Sequence, residues 1–231
     1  MYANRRSKPH KLLVLEILKN GRLSPNHSKM PIIEEALFKR TAGYNGEVAV
    51  DYYLKFLPQK ENTIFYGLRL PYEDTYFQID TLLLSKKFAL ILEIKNISGT
   101  LYFDQKSEQM IRIGSDGNEQ GFEDPLSQAK RQQRLLKLFI KQNGLPDLLI
   151  EYCVVISRPS TILKPLGSPI FHKVCHAHSL NLKIEQIEKS HQKEILENKT
   201  IQKASRLLLK KHEPASDVKS KNSINLKNQI Y

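Results

Sequence analysis

The sequence predicts an α/β protein in which helices flank a mixed central β-sheet. The apolar residues follow a helical period near the start of the chain, change to short strand-like runs, and return to a helical period after residue 124. A near-continuous apolar run over residues 149–157 is typical of a strand buried on both faces of a sheet. Elements in this order are expected to pack as layers around one core.

The N-terminal part of the chain is predicted to be helical. Residues 9–20 place leucines and isoleucines along a short amphipathic helix, and Pro31 stands at the favoured first position of a second helix. Gly43 and Gly46 then bracket two residues, and a further helix over residues 44–57 is expected to end before a proline.

The central part of the chain is predicted to form strands. Runs rich in aromatic and aliphatic residues are separated by turn-like segments, which indicates five strands over residues 63–70, 76–84, 87–95, 100–104 and 109–113. The short link over residues 85–87 predicts that the second and third strands pair as an antiparallel hairpin. A turn is predicted over residues 115–118.

The C-terminal part of the chain returns to helices. Asp124 and Pro125 supply an N-cap and a first-turn proline for a strong helix that ends near Gly144. After the buried strand, a weaker pattern predicts one strand and two helices, near residues 171–175, 181–197 and 199–211. The polar tail from Pro214 is expected to fray. We therefore expect a basic helical extension, a central α/β domain and a basic helical C-terminal region, over residues 1–41, 42–180 and 181–231.

Positive charge is concentrated at the two ends of the chain. The formal net charge is +12; residues 1–41 hold nine Lys and Arg against three Asp and Glu, and residues 183–231 hold eleven against six. Clustered cations release counterions when they neutralise phosphates, so this distribution favours a nucleic-acid partner. The alternative is the solvated surface of an ordinary basic protein.

The cysteine pattern and the lengths of the apolar runs indicate the cellular compartment of the protein. Cys153 and Cys175 form no dense disulfide pattern, and Cys153 lies in an apolar run as a core residue would. The N-terminus lacks an apolar stretch of secretory length, and no run approaches the roughly 20 apolar residues that span a bilayer. We expect a soluble cytoplasmic protein with no membrane partner, and the sequence does not predict the oligomeric state.

Two acidic residues and a lysine are predicted to converge at a sheet edge. Asp80 interrupts an apolar run, where a carboxylate is costly unless it is paired or bound to a metal. Glu93 and Lys95 share one face of the following strand, because strand residues alternate sides, and Asp80 meets them if the two strands pair. Two carboxylates suit a hard cation such as Mg²⁺ or Mn²⁺, with an ammonium group beside the water that attacks a phosphodiester.

Each of these acidic residues also has a simpler interpretation. Asp80 could lie at a strand edge facing water, and Glu93 could form a salt bridge with Lys95 at a sheet end. Glu47 shares a helix side with Asp51 and apolar residues, yet it could also be an exposed glutamate in a first helical turn.

The helix from Pro125 separates into two faces. Gln128 lies with apolar residues on the inward face, where its amide needs a hydrogen-bond partner. The opposite face carries four cations and no acidic residue: Lys130, Arg134, Lys137 and Lys141. This face could simply be solvated, or it could contact phosphates.

A second group of possible metal ligands lies near residue 175. His172, Cys175, His176 and His178 are close in sequence, but their spacing matches no common zinc pattern and no second ligand pair follows. A zinc site is therefore not expected. The chain also lacks a phosphate-binding glycine loop and a nucleophile elbow.

Four strings of the sequence, in this order, resemble the NERD (nuclease-related domain) family. They are Gly43-Tyr44-Asn45-Gly46-Glu47, Phe77-Gln78-Ile79-Asp80, Glu93-Ile94-Lys95-Asn96-Ile97-Ser98-Gly99 and Asp124-Pro125-Leu126-Ser127-Gln128. The resemblance covers roughly residues 43–157 and implies the restriction-endonuclease-like core of the PD-(D/E)xK nuclease superfamily. The chain departs from the family in having Asp124 where an asparagine is expected and in lacking tryptophan and C-terminal paired cysteines.

The resemblance also implies roles for five residues. Asp80 and Glu93 would be metal ligands, and Lys95 would position or activate the attacking water. Glu47 would support the metal or the water from its helix, and Gln128 would orient the site. None of the departures removes one of these residues.

Three functions follow from the sequence. The leading hypothesis is a Mg²⁺- or Mn²⁺-dependent nuclease that hydrolyses DNA. The second is a nucleic-acid-binding module whose nuclease-like site is degenerate or regulatory, and the third is a structural salt-bridge cluster in an α/β domain. A fold alone does not decide between them, because function depends on the site.

Overall fold

The computed structural model describes residues 1–58, 61–104, 106–166, 170–191 and 193–214. They belong to two compact units, one formed by Met1–Arg6 with Ala42–Glu213 and the other by Ser7–Thr41 with Pro214. The tail that was expected to fray lies outside the described residues from residue 215 onward. The sequence-based division at residues 41 and 180 stays a prediction.

The first helices differ from the expected ones at two glycines. Helix α1 (His10–Ile17) leads into a π-helical turn at Leu18–Arg22, and α2 runs without a break over Met30–Leu54. The prediction of two helices in this second stretch was wrong, because Gly43 and Gly46 both lie inside the helix. Each glycine costs a helix about 1 kcal/mol relative to alanine, which is a penalty that tertiary packing outweighs.

The rest of the described chain alternates strands and helices. In chain order the elements are β1 (Thr63–Tyr72), β2 (Thr75–Leu84), β3 (Ala89–Lys95), β4 (Thr100–Asp104), β5 (Gln109–Ile113), β6 (Glu119–Glu123), α3 (Pro125–Gln142), β7 (Ile150–Ile156), β8 (Ile162–Leu166), β9 (Val174–His176), α4 (Leu180–Ser190) and α5 (Asn198–Lys211).

The larger sheet is mixed and has the strand order β1-β2-β3-β7-β9. Strands β1, β2 and β3 pair in antiparallel fashion, which confirms the predicted hairpin, whereas β3, β7 and β9 are parallel. Strand β7 is the apolar run that the sequence assigned to the sheet interior, and Cys153, Val154 and Val155 in it are fully buried.

A smaller sheet has the strand order β6-β5-β4-β8. The sequence analysis predicted neither of its edge strands, β6 and β8. Strand β6 consists mostly of exposed polar residues, and β8 contains Pro165 and is also largely exposed. Neither strand buries a face, so neither leaves an alternating apolar pattern in the sequence. Edge strands of this kind owe their conformation to backbone pairing with a neighbour.

Helices cover both faces of the larger sheet. Helices α3 and α5 pack on one face through Leu136, Phe139, Ala204 and Leu208. The end of α2 packs on the other face together with α4, through Val50, Leu54, Leu180 and Ile184. The predicted α/β class with a mixed sheet between helices is therefore confirmed. Among the described residues, no helix combines the length and apolar character needed to cross a membrane.

Candidate functional site

The site lies where β2 and β3 stop pairing. Their antiparallel register ends at Thr81 opposite Leu92, and the next residues on the two strands are Asp80 and Glu93. Oδ2 of Asp80 accepts a hydrogen bond from the backbone amide of Ile94 at 2.9 Å. The carboxylate thus takes the place that a β2 carbonyl would hold in a continuing ladder, which fixes it against β3.

The buried Glu93 and the partly exposed Lys95 form an ion pair on the α3 side of β3. Glu93 is only 2% exposed, and its Oε1 lies 2.8 Å from Nζ of Lys95. Its other oxygen, Oε2, accepts a hydrogen bond from Nε2 of Gln132 at 2.7 Å. Nζ of Lys95 also donates to Oε1 of Gln128 at 2.9 Å. The lysine ammonium is therefore held between a carboxylate and an amide oxygen.

Helix α3 presents its two glutamines to the site because its N-terminus is firmly capped. Asp124, nearly fully buried, accepts hydrogen bonds from the amides of Leu126 at 3.1 Å and Ser127 at 3.3 Å. Gln128 and Gln132 are four residues apart and so share one helix face. The aspartate that departs from the family pattern thus caps the helix.

A close contact places the middle of α2 against the end of β3. A Cβ atom at Gly46 would lie 2.6 Å from Cβ of Asn96, so only glycine allows this approach. The Asn96 side chain donates to the carbonyl oxygen of Ala42 at 2.7 Å. Glu47 follows Gly46 directly and therefore stands beside the strand end.

A buried arginine joins the acidic residues of α2 to β2. The side chain of Arg6 is 6% exposed and donates to both carboxylate oxygens of Asp51, at 2.7 and 2.9 Å. It also donates to Oγ1 of Thr81 at 2.8 Å, to the carbonyl oxygen of Asp80 at 3.3 Å, and to Oε2 of Glu47. One guanidinium group therefore contacts two carboxylates and the end of a strand.

The pKa values of Asp80 and Glu47 are raised in the folded protein. Burial, followed by the negative charges of Glu93 and Glu47, raises the pKa of Asp80 to about 8, although the Ile94 amide and Lys95 oppose the shift. Burial likewise raises the pKa of Glu47, against the opposing charge of Arg6. Ionised carboxylates are therefore costly here unless further positive charge is present.

The described residues of the cluster carry more negative than positive charge. Glu47, Asp51, Asp80 and Glu93 are four carboxylates, and the two cations that lie among them are Arg6 and Lys95. A third cation, the exposed Lys55, acts on Asp51 and opposes the rise of its pKa. When all are ionised, the four carboxylates with Arg6 and Lys95 have a formal charge of −2, and Lys55 reduces it to −1. A divalent cation would offset this excess.

The donor set fits a cation that retains much of its water. Among the described residues, no group of three or more His, Cys, Asp or Glu could hold a metal ion by itself. Mg²⁺ is commonly held by one or two carboxylates with waters completing its octahedron, and Asp80 and Glu93 can supply those two. Oε1 of Gln132 is buried and has no hydrogen-bond partner among the residues that the structure describes, and a bound water could donate to it.

The histidine and cysteine group near residue 175 has other contacts. Sγ of Cys175 lies 3.7 Å from Sγ of Cys153, and both free thiols are buried. A ring nitrogen of His176 lies 2.8 Å from the carbonyl oxygen of Thr161, and the ring stacks on that of His178.

The structure brings the five sequence-predicted site residues together. Glu47, Asp80, Glu93, Lys95 and Gln128 all belong to the contact and charge network around the end of β3. Sequence reasoning missed Arg6, Asp51 and Gln132 as members. Spacing signals existed for two of them, since Asp51 follows Glu47 by four residues and Gln132 follows Gln128 by four. Nothing in the sequence around Arg6 sets it apart.

A comparison with protein families now bears on these residues. The model of the nuclease-related domain, NERD, matches residues 42–157, which is half of the chain. The chain belongs to the NERD family. No curated protein and no solved structure matches it.

The NERD segment contains all five predicted site residues, whereas Arg6 lies outside it. NERD domains belong in general to the PD-(D/E)xK nuclease-like superfamily, and the two mixed sheets with flanking helices are consistent with such a core. The family therefore makes a nuclease-related function the natural context for the site.

Proposed function

We propose that this NERD protein is a Mg²⁺- or Mn²⁺-dependent nuclease that hydrolyses phosphodiester bonds, with DNA as its expected substrate. The excess of carboxylates at the end of β2 and β3 is the observation that carries the proposal. A cluster that served stability alone would be expected to balance its charges, because an uncompensated buried charge is costly. In this cluster, by contrast, negative charge exceeds positive charge, and a bound divalent cation would offset the excess.

Asp80 and Glu93 would hold the cation, which would polarise the phosphoryl group and offset the charge that develops on its oxygens. Asp80 is suited to this role because the Ile94 amide fixes one of its oxygens at the strand end. Glu93 is suited because Gln132 and Lys95 hold both of its oxygens in a buried position.

Lys95 would act on the water that attacks the phosphodiester. Its side chain is 25% exposed, so a substrate can approach it while Glu93 and Gln128 hold its ammonium group in place. A fixed cation at this place stabilises a developing hydroxide by charge. Glu47, which is 22% exposed, would support the metal or the water from α2.

A nucleic-acid partner is supported by the charge of the surface. The net charge is +12, and helices α3 and α5 carry nine exposed cations that form no ion pair with another described residue. They are Lys130, Arg134, Lys137, Lys141, Lys199, Lys203, Arg206, Lys210 and Lys211. Cations of this kind attract a phosphate backbone without reading its sequence.

The test is cleavage of single- and double-stranded DNA and RNA by the purified protein at increasing Mg²⁺ or Mn²⁺. Asp80→Asn should weaken metal binding and abolish cleavage, and Lys95→Ala should abolish cleavage while the metal stays bound. Glu47→Gln should slow cleavage less than either. Asp116→Asn and Lys189→Ala, at exposed positions on other elements, serve as matched controls.

Two results would contradict this mechanism: strong cleavage by the parent protein in EDTA, or a full cleavage rate in Lys95→Ala. Salt-dependent binding of nucleic acid without any cleavage would instead favour the binding-module hypothesis. A contaminating nuclease is excluded if Asp116→Asn and Lys189→Ala cleave and Asp80→Asn, purified in the same way, does not.

A further inference from the structure

The first six residues form an added strand-like segment along β1. Ala3 donates its amide to the carbonyl oxygen of Ile64 at 2.8 Å, and Ile64 donates its amide to the carbonyl oxygen of Met1 at 2.8 Å. The side chain of Asn4 pairs with both backbone groups of Tyr66, each at 2.8 Å. These bonds fix the direction in which the chain delivers Arg6.

The guanidinium group of Arg6 is fixed on all sides by its partners. Its fork engages Asp51 through two nitrogens, and its remaining donors reach Glu47 and the end of β2 at Asp80 and Thr81. Its carbon Cζ also lies 4.6 Å from the centre of the Tyr66 ring. Lysine could not make these bonds together, because only the planar guanidinium presents a fork of five donors.

We propose that Arg6 is a positioning residue of the nuclease site, although it lies outside the NERD segment. Arg6 binds the carboxylate of Glu47 and the backbone carbonyl of Asp80 at the same time, and so sets the distance between α2 and the end of β2. This inference rests on the proposed function. It adds that the N-terminal six residues are part of the working site.

The loss of the Arg6 charge should affect metal binding and cleavage in opposite directions. Arg6 is a cation beside the carboxylates that would hold the metal, so its loss makes the cluster more negative and favours cation binding. Its loss also frees Glu47 and the end of β2, which slows a reaction that depends on geometry. Damage to the fold alone would weaken metal binding and cleavage together.

The experiment compares Arg6→Gln with Arg5→Gln, which removes the same charge from the exposed neighbouring side chain. In Arg6→Gln, cleavage at saturating Mn²⁺ should fall by at least about tenfold. The dissociation constant for Mn²⁺, measured by electron paramagnetic resonance, should decrease, because the loss of Arg6 leaves the cluster more negative. Arg5→Gln should change neither quantity by more than about twofold, as expected of a surface substitution.

Two further variants keep the test independent of folding. Methylguanidinium should partly restore cleavage to Arg6→Ala by filling the vacated position, and should do nothing for Arg5→Ala. Combining Arg6→Gln with Glu47→Gln should slow cleavage by less than the product of the single effects, because Arg6 acts through Glu47. Circular dichroism and thermal unfolding report the folded fraction of each variant.

Each outcome decides something definite. Parent-like cleavage in folded Arg6→Gln would overturn the positioning role, as would rate and metal affinity falling together without rescue by methylguanidinium. If the parent binds Mn²⁺ but does not cleave, the proposed nuclease function fails, and equal or weaker Mn²⁺ binding by Arg6→Gln than by Arg5→Gln then overturns this inference too. If the parent binds no Mn²⁺, both proposals are wrong.

Discussion

Asp80 is a carboxylate that the folded protein holds at a cost. Two neighbouring carboxylates and its own burial oppose its ionisation, and the Ile94 amide and Lys95 offset only part of that opposition. Residues that bind metal or substrate are often kept at the expense of stability, since the protein must leave their charge partly unmatched. The cost at Asp80 is measurable without any assay of cleavage.

The first prediction concerns stability against pH in the metal-free protein. The pKa of Asp80 rises from 3.8 in the unfolded chain to about 8 in the folded one, so the folded state binds this proton more tightly. The contribution of this proton to the free energy of unfolding is fully present below about pH 4 and is lost as pH rises through about 8. Asp80→Asn has no such titration. As pH rises from about 6 to about 8.5, the free energy of unfolding of the parent should therefore fall by at least about 1 kcal/mol more than that of the variant.

Urea unfolding at the two pH values measures this difference, with Asp116→Asn as the control. Asp116 is exposed, and hydrogen bonds from Asn118 lower its pKa, so its replacement should leave the parent's pH dependence in place. Adding Mn²⁺ should stabilise the parent at high pH and not Asp80→Asn. Identical pH dependence in the parent and Asp80→Asn would contradict the assignment of a shifted pKa to Asp80.

Sequence patterns predicted the residues of the site unevenly. Glu93 and Lys95 followed from strand alternation, because that periodicity is imposed by the backbone alone. The role of Arg6 depends on a pairing with β1 more than fifty residues away in the chain, as the Ala3–Ile64 hydrogen bond shows. No local pattern records a contact of that kind.

At the scale of the elements, the contact between α2 and β3 decides where Glu47 stands. The second prediction follows from Gly46, where a Cβ atom would lie 2.6 Å from Cβ of Asn96 and 3.0 Å from Oγ of Ser157. Gly46→Ala should destabilise the protein by about 1–3 kcal/mol, as overpacking does, despite the better helix propensity of alanine. Cleavage should fall as well, because α2 must shift away from the strand.

Gly43→Ala is the matched control, since it introduces the same methyl group into the same helix. A Cβ atom at Gly43 meets nothing within 4 Å, and the residue is exposed. This variant should therefore be stabilised by up to about 1 kcal/mol. Equal stability of the two variants in thermal unfolding would show that the contact with Asn96 does not constrain α2.

The third prediction concerns the cap of α3. Asp124→Ala removes the acceptor for the amides of Leu126 and Ser127 and should cost about 1 kcal/mol, whereas Asp124→Asn should cost less. Because α3 carries Gln128 and Gln132, fraying of its first turn should also slow cleavage. A thermal shift in Asp124→Ala with an unchanged cleavage rate would separate the cap from the site.

The elements that the sequence predicted are those that bury a face. Strands β2, β3 and β7 contain apolar runs and helix α3 has an apolar face, and the predicted bounds of these elements agree with the structure to within a few residues. The exposed strands β6 and β8 leave no such pattern. The two glycines Gly43 and Gly46 led to the wrong prediction of a helix boundary. Neither ends the helix, and Gly46 permits a close contact between helix and strand.

At the scale of the whole molecule, the layered α/β architecture followed from the order of elements, whereas the second sheet did not. The fourth prediction concerns the charge of the surface. The logarithm of nucleic-acid affinity should fall linearly with the logarithm of salt concentration and depend little on sequence. Replacing Lys137 and Lys203, on α3 and α5, by glutamine should reduce the magnitude of that slope by about one to two.

Lys55→Gln combined with Lys189→Gln removes the same charge from the other face of the sheet, where α2 and α4 lie. This control should leave the slope close to that of the parent. Fluorescence anisotropy of a labelled duplex between about 50 and 200 mM salt covers the range in which such contacts are strongly weakened. Affinity that ignores salt would contradict an electrostatic account of binding.

The residues of the site enter the chain far apart, from Arg6 on the N-terminal segment to Gln132 on α3, with Glu47, Asp80 and Glu93 between them. The contacts of Arg6 with Glu47 and of Gln132 with Glu93 span 41 and 39 residues of the chain, and the entropy of loop closure is lost before such a contact returns any stability. The site should therefore be among the last parts of the unit to form and among the first to open. A chain still emerging from the ribosome, or one partly unfolded by stress, would lack the assembled site and, under the proposed function, would not cleave nucleic acid.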